Sequence, residues 1–223
     1  MVNQRLARPD PRDFIPANLR IAPVPSLPEI RLYTAHPGSG LSRLLDDDDG
    51  DAPPPYWAHH WAGGVVLARY VLDHPETVAG RHVLDLGAGS GVVGVAAAKA
   101  GAIEVVAADI DPYAIAAVSL NAALNGVTLT ALYGDLTDGP PPPVDLVLVG
   151  DLFYARDLAV RVTAFLDRCR AAGIAVLIGD PGRSHLPHER LRRLAERRVP
   201  DIDQVRDGTL ALSGVFALLP AGA

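Results

Sequence analysis

Asp85-Leu86-Gly87-Ala88-Gly89-Ser90-Gly91 follows the short apolar run His82-Val83-Leu84 and opens the Ala-rich stretch 92–100. That order reads as a strand, a tight turn and a helix N-terminus. Glycine has no Cβ, so the backbone can turn sharply there and admit a ligand closely. The turn fits more than one ligand. Gly89-Ser90-Gly91-Val92-Val93-Gly94 also matches the dinucleotide pattern G-x-G-x-x-G. A second acid, Asp109, closes the next apolar run, 105–108, at a spacing that suits ribose hydroxyls in either case. Asp85 separates the two. A carboxylate at the mouth of the turn repels a pyrophosphate and suits a cationic sulfonium and its amine. A turn with no ligand is the remaining alternative.

Outward from the turn, strand-like runs recur at 82–86, 104–109, 129–134, 144–150 and 173–179, with helical stretches at 92–100, 112–125 and 156–172. A further apolar helix is expected over 64–72. Pro112 suits a first helical turn and Asn125-Gly126 a helix stop. Alternation of this kind implies an α/β fold with a doubly wound, mostly parallel sheet. Residues 191–198 read as a basic helix. Segments 201–206 and 210–218, joined by Asp207-Gly208, read as a closing antiparallel hairpin. The Pro-rich stretch 1–55 is set apart as an arm and acidic loop, and 56–223 as the folded domain. Within that arm, 5–28 reads as extended with one short helix, and 30–33 as a short strand. The run Asp46-Asp47-Asp48-Asp49-Gly50-Asp51 is either a solvated loop or an acidic rim for a basic substrate.

The chain has 223 residues, enough for one domain with a full core, and a formal charge of −6. That charge argues against a nucleic-acid scaffold, whose affinity rests on neutralising phosphates. The single cysteine, Cys169, leaves no intramolecular disulfide and is read as a packing residue. Neither a signal peptide nor a membrane span is legible, so a cytoplasmic enzyme is expected; a monomer is expected as well. His59 and His60 are adjacent, and His185 and His188 lack a completing acid or cysteine cluster, so no metal site is expected.

The D-x-G-x-G-x-G turn resembles the S-adenosylmethionine site of class I methyltransferases, whose fold is a seven-stranded Rossmann-like sheet ending in an antiparallel hairpin. Five expected strands each end on an aspartate: Asp85, Asp109, Asp135, Asp151 and Asp180. Buried carboxylates are unfavourable without partners, so a polar ligand rim explains them economically. On this reading Asp85 faces the methionine end of the cofactor, with Gly87, Ala88, Gly89 and Gly91 in the turn. Asp109 takes the ribose hydroxyls, beside Ile110. Asp135 accepts from the adenine amine, with Leu136 on the ring, or instead caps a local turn. Trp61 packs on the cofactor or belongs to the core, and Gly63-Gly64 lets the chain pass close to it. Gly150 closes the fourth strand. The resemblance places the next residues beside the transferred methyl. There Asp151 and Tyr154 suit an amine nucleophile, the acid orienting it and the ring stabilising its cation. Phe153 reads equally as a substrate contact or as core.

Longer segments resemble one family. They are Trp61-Ala62-Gly63-Gly64, Ala68-Arg69-Tyr70-Val71-Leu72-Asp73, the glycine turn, Asp109-Ile110-Asp111-Pro112 and Leu120-Asn121. Gly150-Asp151-Leu152-Phe153-Tyr154 and Leu177-Ile178-Gly179-Asp180-Pro181-Gly182-Arg183 complete the set. Across about residues 57–219 these are similar to the electron transfer flavoprotein β-subunit lysine methyltransferases. The D-x-F-Y and G-D-P-G-R segments are the selective ones. The resemblance implies methylation of lysines on the flavoprotein's β subunit, with Asp151 and Tyr154 at the target lysine and Phe153, Asp180 and Arg183 toward the substrate. An N-methyltransferase for another protein or a small amine, and a cofactor-binding protein without catalysis, are the alternatives.

Overall fold

The computed structural model describes residues 8–44, 54–200 and 210–220. Strand β3 (His82–Leu86) is central to a seven-stranded sheet, and its neighbours follow from the order of the apolar runs. The chain steps outward on one side through β4 (Glu104–Asp109) and β5 (Thr130–Tyr133). It then crosses back to place β6 (Leu146–Gly150) and β7 (Ala175–Asp180) on the other. All of these pair in parallel. The direction of winding therefore reverses between β3 and β6. In open α/β sheets that switch point opens a crevice at the carboxyl ends of the strands.

Alternation along the strands sorts the core into two layers. Val83, Leu146, Leu148 and Leu177 face α2 (Ala62–Asp73) and α3 (Val92–Lys99). Leu84, Leu86, Val147, Val149 and Ile178 face α5 (Arg156–Ala171), which supplies Val162, Phe165 and Leu166. Strands covered on both faces read as unbroken apolar runs, as here. Cys169 is fully buried in the α5 layer, where burial pushes its thiol up to about 11.

Residues 191–198 are not a helix. They lie in strand β8 (Leu191–Pro200), which pairs antiparallel with β9 (Leu210–Leu218); β9 in turn pairs antiparallel with β7. Arg, Leu, Ala and Glu all favour helix locally, but the open flank of β9 offers a full ladder of backbone hydrogen bonds, and tertiary pairing overrides propensity. The described strand that pairs with β9 is thus 191–200. Residues 201–206 and the Asp207-Gly208 turn lie outside the described residues, as does the acidic run 46–51. Arg192, Arg193, Arg197 and Arg198 are exposed along the sheet edge, where charge discourages further pairing.

The N-terminal region is more ordered than an extended arm. Helix α1 (Pro11–Asn18) is capped by Asp10, whose Oδ1 accepts from the Arg12 N–H at 2.8 Å. It buries Phe14 and Ile15 against Tyr113 and Ala117 of α4 (Pro112–Leu124). A hairpin of β1 (Arg20–Val24) and β2 (Leu27–Thr34) then sends Leu27, Ile30 and Leu32 into the main core. Asn121, fully buried, ties this hairpin to the glycine turn: its Oδ1 accepts from the Tyr33 N–H at 2.8 Å, and its Nδ2 donates to the Ser90 carbonyl at 2.8 Å.

Candidate active site

The glycine turn is shaped by its backbone. Gly87 and Gly89 have φ of +65° and +52°, values that cost a side-chain-bearing residue about 1–2 kcal/mol. The Gly87 and Ala88 N–H groups both donate to the Ala108 carbonyl, which pins the turn to β4. Gly91 caps α3, and a Cβ there would press on Val118 at 3.2 Å. Ala88 is buried among Ala107 and Val118. Ala88 and Gly91 therefore build the turn from beneath, while Gly87 and Gly89 face a cavity of about 410 Å³.

Asp85 does not face that cavity. One position before Leu86, it points to the α2–α3 side of the sheet, fully buried, and its Oδ2 accepts from the Gly94 N–H at 2.8 Å. Burial, with a smaller contribution from Asp109, pushes its carboxyl up to about 7 against that hydrogen bond. Its work is to join β3 to α3. Asp109 does line the cavity. Its Oδ2 accepts from the Gly89 N–H at 2.8 Å and its Oδ1 from the Asp111 N–H at 3.0 Å, while burial raises its pKa. Ile110 and Leu136 add apolar wall, and Gly150 lines the cavity at the end of β6. Asp135 adopts the turn-cap geometry. Its Oδ1 accepts from the Thr137 N–H and hydroxyl, and its Oδ2 pairs with Arg161 at 2.5 Å. Burial works to raise this carboxyl, but the Thr137 and Arg161 contacts prevail and hold it below its ordinary range.

At the end of β6 the backbone turns left-handed at Asp151, φ +61°, an unusual conformation for a residue with a side chain. Both of its oxygens are engaged. Oδ1 pairs with the Arg183 Nε at 2.7 Å, and Oδ2 accepts from the Gly63 N–H at 2.9 Å, at the positive N-terminus of α2. The Asp151 N–H donates to the Gly179 carbonyl at 3.0 Å. Helix α2 reaches this point because Gly63 and Gly64 in its first turn carry no side chains. A Cβ on Gly63 would lie 2.4 Å from the Gly179 oxygen. Gly63-Gly64 therefore brings helix and sheet together, rather than clearing a path along a ligand.

Asp180 is fully buried beneath the next loop and does not line the cavity, against the expected substrate contact. Its Oδ1 accepts from the Gly182 and Arg183 N–H groups, both at 2.7 Å, while Oδ2 is buried without a hydrogen bond. Burial, reinforced by Asp151, pushes this carboxyl up to about 6. It shapes the loop that presents Arg183. Phe153 has no exposed surface and packs in the α5 layer, so it is core rather than a substrate contact; the left-handed turn at Asp151 directs the chain inward there.

Tyr154 and Trp61 both line the cavity. Tyr154 is half exposed, and burial of its remainder raises its pKa, which keeps the phenol protonated. Trp57, buried, also borders the cavity and stacks on Tyr113, centroids 5.5 Å apart. The cavity also takes in Tyr56, Leu152, Leu158 and Arg161. Tyr56 was discernible only as part of an aromatic-rich run after the prolines. Arg161 carries no local signal and arrives through the packing of α5. Burial lowers the pKa of His59 and, with a contribution from His59, brings His60 down to about 4.

The family model described as Ribosomal protein L11 methyltransferase (PrmA) matches residues 68–150. The electron transfer flavoprotein beta subunit lysine methyltransferase of Rattus norvegicus is 41% identical over 172 residues, covering 74% of this chain and 68% of the relative. That of Xenopus laevis is 38% identical over 225 residues, covering 97% and 90%. The crystal structure of the ribosomal protein L11 methylase from Lactobacillus delbrueckii subsp. bulgaricus superposes with a TM-score of 0.50 at 24% identity, over 69% of this chain and 77% of that one, a likeness of fold. Both relatives are matched across two thirds or more of their length, so the chain belongs to the electron transfer flavoprotein beta subunit lysine methyltransferase family.

Proposed function

We propose that the chain transfers a methyl group from S-adenosylmethionine to a lysine amine of a protein, the electron transfer flavoprotein β subunit. The observation that supports this most is the union of two groups in one cavity: the Gly87–Gly89 turn with Asp109, and Asp151 with Tyr154. The cofactor suits the donors present. Asp109 supplies carboxylate oxygens for ribose hydroxyls. Ile110, Leu136 and Leu158 give apolar walls for an aromatic base, with Asp135 at their edge. The bare backbone of Gly87 and Gly89 admits a ligand closely. When bound, S-adenosylmethionine supplies the electrophilic methyl; the rest falls to the residues of the chain.

The amine must be neutral to attack. At pH 7 that costs about 4–5 kcal/mol for an ordinary lysine. A lone carboxylate beside it would add to the cost by favouring the ammonium. Asp151 is already compensated by Arg183 at 2.7 Å and by the Gly63 N–H at 2.9 Å, so it can accept a hydrogen bond from the amine with less bias toward the cation. Asp151 orients the amine, Tyr154 walls the site or bonds the nitrogen, and the proton leaves to water through the half-exposed rim at Tyr154. Alignment of the nitrogen is then the main source of rate. A monomeric cytoplasmic enzyme belongs to the same proposal, and the charge of −6 supports the part of it that excludes a nucleic-acid partner.

The test is to incubate the purified β subunit with deuteromethyl S-adenosylmethionine and map mass gain by peptide. Gain confined to lysine is expected. Gain on another residue type, or none, would overturn the assignment.

A further inference from the structure

Four aromatic side chains share the cavity with Asp151; Trp57 stacks on Tyr113, and the other three, Tyr56, Trp61 and Tyr154, meet at one corner. The Tyr56 ring is 5.5 Å, centroid to centroid, from both Trp61 and Tyr154, at interplanar angles of 71° and 51°. Neither of the two Tyr56 contacts is a flat stack. Tyr56 and Tyr154 leave 40% and 46% of their surface open, enough ring face for a ligand to meet. The corner is built rather than incidental. The Trp61 indole Nε1 donates to the Tyr56 carbonyl at 3.0 Å, which locks two of the rings together. A cation already fits here: the Arg183 guanidinium lies 6.0 Å from the Trp61 centroid while it holds Asp151. That is the outer range of a cation–π contact.

Resting on the lysine reading above, we propose that Tyr56, Trp61 and Tyr154 form an aromatic box for the ammonium and methylammonium forms of the target lysine. Tyr56 is the residue that makes the box prefer a cation to a neutral group of equal shape. Ring faces attract a positive head through their quadrupole, and each added methyl enlarges the apolar contact without removing the charge. Tyr56 would thus capture the incoming ammonium and keep a partly methylated side chain in place for another round.

Choline and 3,3-dimethylbutanol share a shape and differ in charge. With S-adenosylhomocysteine present, a tryptophan-fluorescence titration should show choline binding about fivefold more tightly than the alcohol. Tyr56→Leu should erase the difference, Tyr154→Leu should reduce it, and Tyr56→Phe should preserve it. Equal binding of the two probes by the wild-type chain, or a preference that survives in folded Tyr56→Leu, overturns the box. With purified β subunit, Tyr56→Leu should raise KM about five- to tenfold and lower the ratio of higher-methylated to monomethylated lysine, with the Kd for S-adenosylhomocysteine unchanged. Tyr56→Phe should restore both KM and ratio. An unchanged KM and ratio in Tyr56→Leu also overturns it. Failure of the lysine reading shows separately, as a wild-type chain that methylates no lysine while still discriminating choline from the alcohol.

Discussion

Asp151 combines a left-handed backbone, a helix N-terminus and an arginine partner around one carboxylate. Asp151→Asn keeps the shape and removes the charge. It is expected to lower kcat about 100-fold, with the Kd for S-adenosylhomocysteine, read by calorimetry, within about threefold of wild type. A large loss of cofactor affinity would contradict the assignment. Asp85 gives the opposite kind of test. Its folded pKa, about 7, lies above its ordinary 3.8, so the folded state holds a proton that the unfolded chain has released. Stability attributable to Asp85 is therefore greatest below about pH 4 and falls as pH rises to about 7, by on the order of 2–4 kcal/mol in all. Asp180, raised to about 6, adds to the slope only at the lower end. Urea denaturation of Asp85→Asn should show a flatter profile, most cleanly between pH 6 and 7; parallel profiles would contradict the account. The strand-end aspartates were legible as a set, and the structure divides them. Asp109, Asp135 and Asp151 line the cavity, while Asp85 and Asp180 lie beneath it. A residue's place on the two-residue strand repeat decides which face it takes, and sequence spacing locates a strand end less finely than that.

At the scale of elements, the joint between α2 and the ends of β6 and β7 depends on bare backbone. Gly63→Ala would set a methyl 2.4 Å from the Gly179 oxygen and 2.9 Å from the Asp151 nitrogen. Neither neighbour is a flexible side chain, so α2 must move. A loss of about 2–3 kcal/mol in urea denaturation is expected, with methyl transfer falling further than stability explains, because Asp151 loses its N–H donor. A variant as stable and active as wild type would show that the joint is looser than described. The Gly63-Gly64 pair was visible in the sequence, but its partner was not: Gly179 is 116 residues away in numbering, and only the fold brings them together. Strand β8 was missed for a related reason. Its Arg-rich composition favours helix, and the β9 ladder that overrides it is a long-range pairing. The inner parallel strands β3, β6 and β7 were legible because burial on both faces leaves them as largely apolar runs, whereas β5 lies at the exposed edge.

For the whole molecule, alternating runs sufficed to read a doubly wound sheet, and the turn between 84 and 92 sufficed to place its crevice. The N-terminal helix and hairpin were less legible. Their apolar residues are interspersed with prolines, and they gain order only by packing on α4 and the main core. The assembled molecule brings a bare glycine turn, Asp109 and Asp151 into a single cavity, and the proposed function requires that cavity to serve one protein substrate. The most direct measurement is to incubate the chain and methyl-labelled S-adenosylmethionine with extract of cells lacking its gene, then identify each labelled protein and residue. One dominant labelled species, the flavoprotein β subunit carrying label on lysine, is the expected result. Label on another protein, or no labelled protein from a chain that binds S-adenosylhomocysteine, would contradict it.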